Sequence, residues 1–187
     1  MSGHGCCNDN GFMTATVGSY APDFTANAYY KGEFMEVTLS EYLKDGKWVV
    51  LFFYPLDFTF VCPTEIKQFS AMAKDFEDEG AQIIGVSVDS EHAHKAWVEN
   101  DLGEMNFPLV ADLTKEITDA YGILHPNGVA LRGTFIIDPE GIIHHATINN
   151  LPIGRNVEET LRTFCAAKSG DLCPVGWHKG ENTLGKA

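Results

Sequence analysis

Trp48 to Tyr54 is an unbroken apolar run, closed by Pro55. A run of that length without polar alternation fits a strand buried on both faces, which needs other layers above and below it. After a short connection, Cys62 to Glu79 carries Ile66, Phe69, Ala73 and Phe76 at helical spacing. A thiol therefore stands where a buried strand hands over to a helix. Pro63 is compatible only with the first turn of a helix, which puts Cys62 at or just inside its start. Thr59, three residues earlier, is placed as the N-cap.

The same grammar repeats along the chain. Thr16 to Phe34 reads as short extended pieces and a turn, Val37 to Leu39 as a short strand, and Ser40 as the cap of a brief helix through Leu43. Gly80 stops the Cys62 helix. Gln82 to Asp89 is a second buried strand, followed by a helix from Glu91 to Asn100. A third short strand spans Phe107 to Asp112, a short helix Lys115 to Tyr121, and a fourth strand Val129 to Asp138. A turn at Asp138-Pro139-Glu140-Gly141 sends Ile142 to Ile148 back antiparallel, and a last helix runs from Val157 to Lys168. Strands alternating with helices, then a hairpin and a final helix, describe an α/β sandwich with a mixed central sheet. With no repeat, linker or low-complexity block, residues 1–187 are expected to form one domain, with a flexible tail 1–15 and a C-terminal segment 169–187.

The formal charge of −13 argues against nucleic acid and anionic membranes as partners and suits a neutral substrate. Five cysteines at irregular spacing are not a secreted disulfide framework. The N-terminus lacks the basic and apolar regions of a signal peptide, and no apolar run could span a bilayer, so the expected location is the reducing cytoplasm. His4, Cys6 and Cys7 lie in a small, polar stretch that reads as a fraying tail with adventitious thiols. Neither a metal nor a cofactor is expected: His144-His145 alternate across a strand, and no histidine pair has zinc spacing. Cys165 shares a helical face with Leu161 and Phe164 and reads as core.

A free thiol is only about 3% thiolate at neutral pH. A helix N-terminus contributes about 0.3–1 kcal/mol to an anion, too little to ionise it. Full ionisation would gain only about thirty-fold in reactive species, so a fast thiol catalyst must also stabilise its transition state. That calls for a guanidinium and a hydroxyl near the sulfur. The sequence has three arginines. Arg162 lies in the last helix and reads as part of a solvated face. Arg132 interrupts an otherwise apolar strand, Val129-Ala130-Leu131 before it and Gly133-Thr134-Phe135-Ile136-Ile137 after it, and a charge there needs a partner or a strand end.

Pro55-x-x-x-Thr59-x-x-Cys62 matches the active-site motif of peroxiredoxins. The longer string Asp57-Phe58-Thr59-Phe60-Val61-Cys62-Pro63-Thr64-Glu65 resembles the two-cysteine class that includes the peroxide-reducing component of alkyl hydroperoxide reductase. Ala21-Pro22-Asp23-Phe24, Leu131-Arg132-Gly133-Thr134-Phe135 and Cys173-Pro174-Val175-Gly176-Trp177 also resemble family segments, so the similarity covers about Val17 to Leu184. The resemblance implies a thioredoxin-like fold. It implies that Cys62 attacks a hydroperoxide, with Arg132 over the sulfur, Thr59 donating a hydroxyl, Pro55 shielding the site, and Glu65 with Arg155 bracing it as an ion pair. It further implies that the sulfenic acid condenses with Cys173 of the neighbouring subunit, and that thioredoxin or a flavoprotein disulfide reductase restores both thiols. A homodimer assembled as a ring, a decamer, is the implied state. Relatives sensitive to excess peroxide carry a G-G-L-G loop and a tail ending in a Y-F helix. Here Asn100-Asp101-Leu102-Gly103 occupies the loop and the sequence ends at Ala187, so resistance to over-oxidation is expected. A disulfide reductase would need a second cysteine in Cys62-Pro63-Thr64-Glu65, which is absent. A holdase chaperone would need exposed apolar surface.

Overall fold

A computed structural model describes residues 15–186. The expectations for His4, Cys6 and Cys7, and for all but the last residue of the 1–15 tail, lie outside the described residues. The strands are β1 Thr25–Tyr30, β2 Glu33–Thr38, β3 Trp48–Phe53, β4 Ala81–Ser87, β5 Leu109–Ala111, β6 Arg132–Ile137 and β7 Ile143–Asn149. The helices are α1 Leu39–Lys44, α2 Cys62–Ala71, α3 Ala73–Asp78, α4 Glu91–Trp97, α5 Glu116–Ala120 and α6 Val157–Ser169. The strands form one sheet in the order β2-β1-β5-β4-β3-β6-β7. β3, β4 and β5 run parallel, and every other pairing is antiparallel.

The apolar run of β3 lies at the centre of this mixed sheet because both of its faces are covered. Val50 and Phe52 join one core cluster with Ile66, Phe69, Phe76 and Phe164; Val49, Leu51 and Phe53 join the other with Val37, Tyr121 and Phe135. Alternate residues thus serve opposite layers, as the period of a strand requires. Lys31 and Gly32 both adopt positive φ, 48° and 89°, which makes the β1–β2 connection the two-residue hairpin turn whose twist suits its strands.

Several boundaries differ from the sequence reading, among them β6, which begins at Arg132 and not Val129, and β2, which spans Glu33–Thr38 and not Val37–Leu39. The Cys62 helix breaks at Met72, where Asn106 Nδ2 donates to Ser70 O at 3.0 Å and takes a carbonyl that an unbroken helix would offer to residue 74. The helix at Glu91 ends at Trp97 and passes into a π turn, Val98–Leu102. The brief early helix starts at Leu39 behind Thr38, so Ser40 is not its cap; its N–H instead donates to Asp23 Oδ1 at 3.0 Å.

The segment after α6 folds back as a strap. Asp171 bridges Lys186, Leu172 N–H donates to Gly185 O, and Leu184 N–H to Leu172 O. Trp177 is buried, its indole donating to Glu181 O and its carbonyl accepting from Arg162 Nη1. Arg162 is therefore a clamp on the strap as well as a partner of Glu159 on the surface of α6. Lys179 and Lys168 converge on Glu79 at the end of α3. Among the described residues no helix is long and apolar enough to cross a membrane.

Candidate active site

The sheet register assembles the site. β3 and β6 are antiparallel, with Phe52 opposite Thr134. Arg132, two residues before Thr134, therefore lies beside the carboxyl end of β3, where the chain leaves the sheet for Cys62. Ligands of open α/β sheets gather at such strand ends. A separation of seventy positions in sequence collapses to one hydrogen bond: Arg132 Nη1 donates to Cys62 Sγ at 3.4 Å.

Cys62 is the first residue of α2 and has no exposed surface. Pro63 follows inside the first turn, as expected. The N-cap, however, is Val61, in helical geometry and without a side-chain cap. Thr59 Oγ1 instead donates to Leu56 O at 3.0 Å, bending the loop before the helix. Its proton is engaged, and the lone pairs of its half-buried oxygen remain to accept. Pro55 is buried directly after β3.

Glu65, one turn into α2, is shared by both site arginines. Its Oε2 accepts from Arg132 Nη1 at 2.7 Å and from Arg155 Nη2 at 2.8 Å. Its Oε1 accepts from the Arg155 Nε at 2.9 Å and the Arg155 N–H at 2.8 Å. Arg155 also donates through Nη1 to Phe53 O at 2.7 Å and Gly133 O at 2.8 Å, tying α2 to the ends of β3 and β6, while its guanidinium lies 5.1 Å from the Phe52 ring centre. Arg132 Nε donates to Leu151 O at 2.7 Å. Arg132 and Glu65 are 3% and 2% exposed, so these charges are effectively out of water. Burial opposes ionisation of Glu65, but the hydrogen bonds and charge of Arg155, with the charge of Arg132, outweigh it and hold the carboxyl below its ordinary range. Burial likewise pulls Arg155 below its usual value, against the support of Glu65.

A buried ion cluster of this kind adds little net stability compared with apolar packing, because desolvation offsets attraction. Gly133, next to Arg132, has a packing reason: a Cβ there would stand 2.8 Å from Ile123 Cδ1 and 3.0 Å from the Phe135 ring.

The structure brings Cys62, Glu65, Arg132 and Arg155 into direct contact, with Thr59 and Pro55 on the adjoining loop. It does not bring Cys173 to them. That thiol is half-buried under the strap, 3.4 Å from Ser169 Oγ and 3.9 Å from Ala166 O. Cys165 is buried as core, and burial, with the charge of Glu79, pushes its thiol upward. Among the described residues no group of three His, Cys, Asp or Glu could hold a metal ion. Sequence reasoning missed a second polar cluster beneath the loop, Tyr54, Asp57 and His94. A histidine in Glu91-His92-Ala93-His94 has no signal that separates it from surface residues.

A buried thiol under a guanidinium, at the carboxyl end of a central strand, is built for nucleophilic thiol chemistry. The comparisons agree. The model of the AhpC/TSA family matches residues 17–146. The chloroplastic 2-cysteine peroxiredoxin of Chattonella marina var. antiqua is 53% identical over 182 residues, covering 92% of this chain and 93% of the relative. The reduced 2-Cys peroxiredoxin of Plasmodium vivax superposes with a TM-score of 0.86 at 40% identity, over 89% of this chain and 91% of that one. AhpC of Mycobacterium tuberculosis gives 0.80 at 41% identity, over 88% and 99%. The chain belongs to the AhpC/TSA family and is a peroxidase of peroxiredoxin type.

Proposed function

We propose that Cys62 is the peroxide-reducing thiol of this enzyme and Cys173 the thiol that resolves it. The observation that carries the reading is the 3.4 Å contact between Arg132 and Cys62, made in a buried cluster whose charges balance only when the sulfur is anionic. Two guanidiniums and one carboxylate sum to one positive charge, and a thiolate brings the total to zero. The thiolate attacks the distal oxygen of a hydroperoxide. The S–O bond forms as the O–O bond breaks, the leaving oxygen is protonated to water or an alcohol, and sulfur is left as sulfenic acid. Arg132 stabilises the charge spread over sulfur and both oxygens, Thr59 binds the peroxide through its hydroxyl, and Pro55 keeps bulk water away. Glu65 and Arg155 fix Arg132 in place.

The Cys173 thiol then displaces the sulfenic oxygen as water, forming a disulfide. Because Cys173 lies under the strap and Cys62 in a closed pocket, both the start of α2 and the strap must open first. The partner thiol comes from a neighbouring subunit. The edge position of β7, with Ile148 half-exposed, supports self-association, and a ring of dimers, a decamer, is the proposed assembly. Thioredoxin or a flavoprotein disulfide reductase supplies two electrons and two protons to regenerate the thiols. Hydrogen peroxide and alkyl hydroperoxides are the substrate class, and the reducing cytoplasm is the proposed compartment.

Peroxide consumption by the wild type, Cys62→Ser and Cys173→Ser tests the cycle. Cys62→Ser loses the activity. Cys173→Ser consumes one peroxide per chain and stops with thioredoxin as reductant. Peroxide-treated wild type runs as a disulfide-linked dimer on a non-reducing gel. Full activity in Cys62→Ser overturns the mechanism, and unimpaired turnover in Cys173→Ser overturns the role of the second cysteine.

A further inference from the structure

The loop of residues 55–61, which carries Thr59 and leads to Cys62, is tied to the body of the protein by a buried polar cluster that the peroxidase reading leaves unused. Asp57 is its hub and is 6% exposed. Its Oδ1 accepts from Tyr54 Oη at 2.9 Å, and its Oδ2 lies 2.7 Å from His94 Nδ1. Its N–H donates to Asp89 Oδ2 at 2.7 Å. Tyr54 follows β3, Asp89 sits in the turn after β4, and His94 is in α4, so one residue joins the loop to three neighbours. Phe58 adds an aromatic anchor, its ring centre 5.8 Å from that of Trp97.

The ring of His94 has an acceptor at each end. Nδ1 faces the Asp57 carboxylate, and Nε2 lies 3.1 Å from Val110 O. The two contacts fix the ring from both ends. The contact with Asp57 is made between side chains 0% and 1% exposed, out of reach of competing water. Burial and the charge of Asp57 hold the Tyr54 phenol well above its ordinary value, so it remains a donor. Phe58, next in the chain, has φ +54°, a left-handed conformation that a bulky residue keeps only when its surroundings enforce it. The loop is strained on one side of Asp57 and restrained through it.

The geometry points to a latch. Asp57, held by His94, Tyr54 and Asp89, sets the equilibrium between the closed loop that presents Thr59 and Cys62 to peroxide and the open loop that frees Cys62 for Cys173. None of the four touches the sulfur, so they are positioning residues, and their role rests on the cycle proposed above. A tight latch favours the peroxide step and prolongs the sulfenic acid in its pocket. A loose latch favours the disulfide and leaves less time for a second oxidation.

Tyr54→Phe removes one hydrogen bond to a carboxylate with almost no change in packing, which corresponds to roughly ten- to hundredfold more opening. Quenched-flow mass spectrometry of the full protein separates sulfenic acid formation, disulfide formation and sulfinic acid. The expected result is faster disulfide formation, a peroxide step slowed no more than the closed fraction falls, and a larger peroxide dose needed to reach sulfinic Cys62. A general loss of structure would slow both steps, which overturns the latch. Hydrogen exchange supplies the second readout. In the wild type the amides of Asp57 and of the first turn of α2 should exchange as one unit, faster than those of β4, and in Tyr54→Phe that unit alone should speed up. An unchanged exchange rate, or faster exchange with an unchanged disulfide step, also overturns it. Failure of the peroxidase reading would show separately, as wild-type protein that consumes no peroxide.

Discussion

Replacing Arg132 with lysine keeps the charge and removes the fork. In the structure the guanidinium serves three acceptors from two nitrogens: Leu151 O through Nε, and Cys62 Sγ and Glu65 Oε2 through Nη1. A lysine has one nitrogen at the end of a shorter reach. Its strongest partner is the Glu65 carboxylate, and an ammonium held there gives up the Leu151 carbonyl and its aim at the sulfur. A hydrogen bond to a charged group contributes about 1.5–3 kcal/mol. Lost from the transition state, that is roughly a ten- to hundred-and-fifty-fold fall in the second-order rate of Cys62 oxidation. Rapid-mixing tryptophan fluorescence over a peroxide series measures that rate, with Trp97 beside the loop as a built-in reporter. Urea unfolding of the same samples shows whether the fold is intact. A folded Arg132→Lys protein oxidised within twofold of the wild-type rate would refute the argument, because the rate would then depend on charge and not on the guanidinium's geometry.

Two further outcomes are expected. Glu65 has a depressed folded-state pKa, so its contribution is present above the unfolded carboxylate's titration and is lost as pH falls through the lower, folded value. Glu65→Gln should therefore be about 3–5 kcal/mol less stable than wild type at neutral pH, with the gap narrowing on acidification; urea midpoints across pH read this, and a gap that stays constant contradicts it. The Asn100-Asp101-Leu102-Gly103 loop, in place of the G-G-L-G of sensitive relatives, should make sulfinic Cys62 scarce at modest peroxide excess during turnover, which intact-mass measurement checks.

The sequence and the structure agree where a residue's environment is set locally. An apolar run followed by Cys62-Pro63 allows one arrangement, a buried strand leading into a helix, and that arrangement is present. Arg132 is legible because a single charge in an apolar run needs a partner or a strand end, and it has both, standing first in β6 and paired with Glu65. The roles of Arg155 and Glu65 come from the family resemblance, since either could be a surface charge by spacing alone. What is illegible depends on contacts distant in sequence. The helix break at Met72 needs Asn106, the order of the strap needs Arg162 and Glu79, and the liberation of Thr59 from capping follows from the bend that takes its proton to Leu56. His94 is hidden for the same reason, as its partners lie 37 and 16 residues away.

Glu65 offsets one of the two guanidiniums that enclose it, and in the proposed cycle a thiolate at Cys62 offsets the other. Turning that sulfur into a neutral product erases its share while both cations stay behind. The chamber that welcomes an unreacted thiolate is thereby the wrong host for what the thiolate becomes. Each turnover thus creates its own incentive for the pocket to let go.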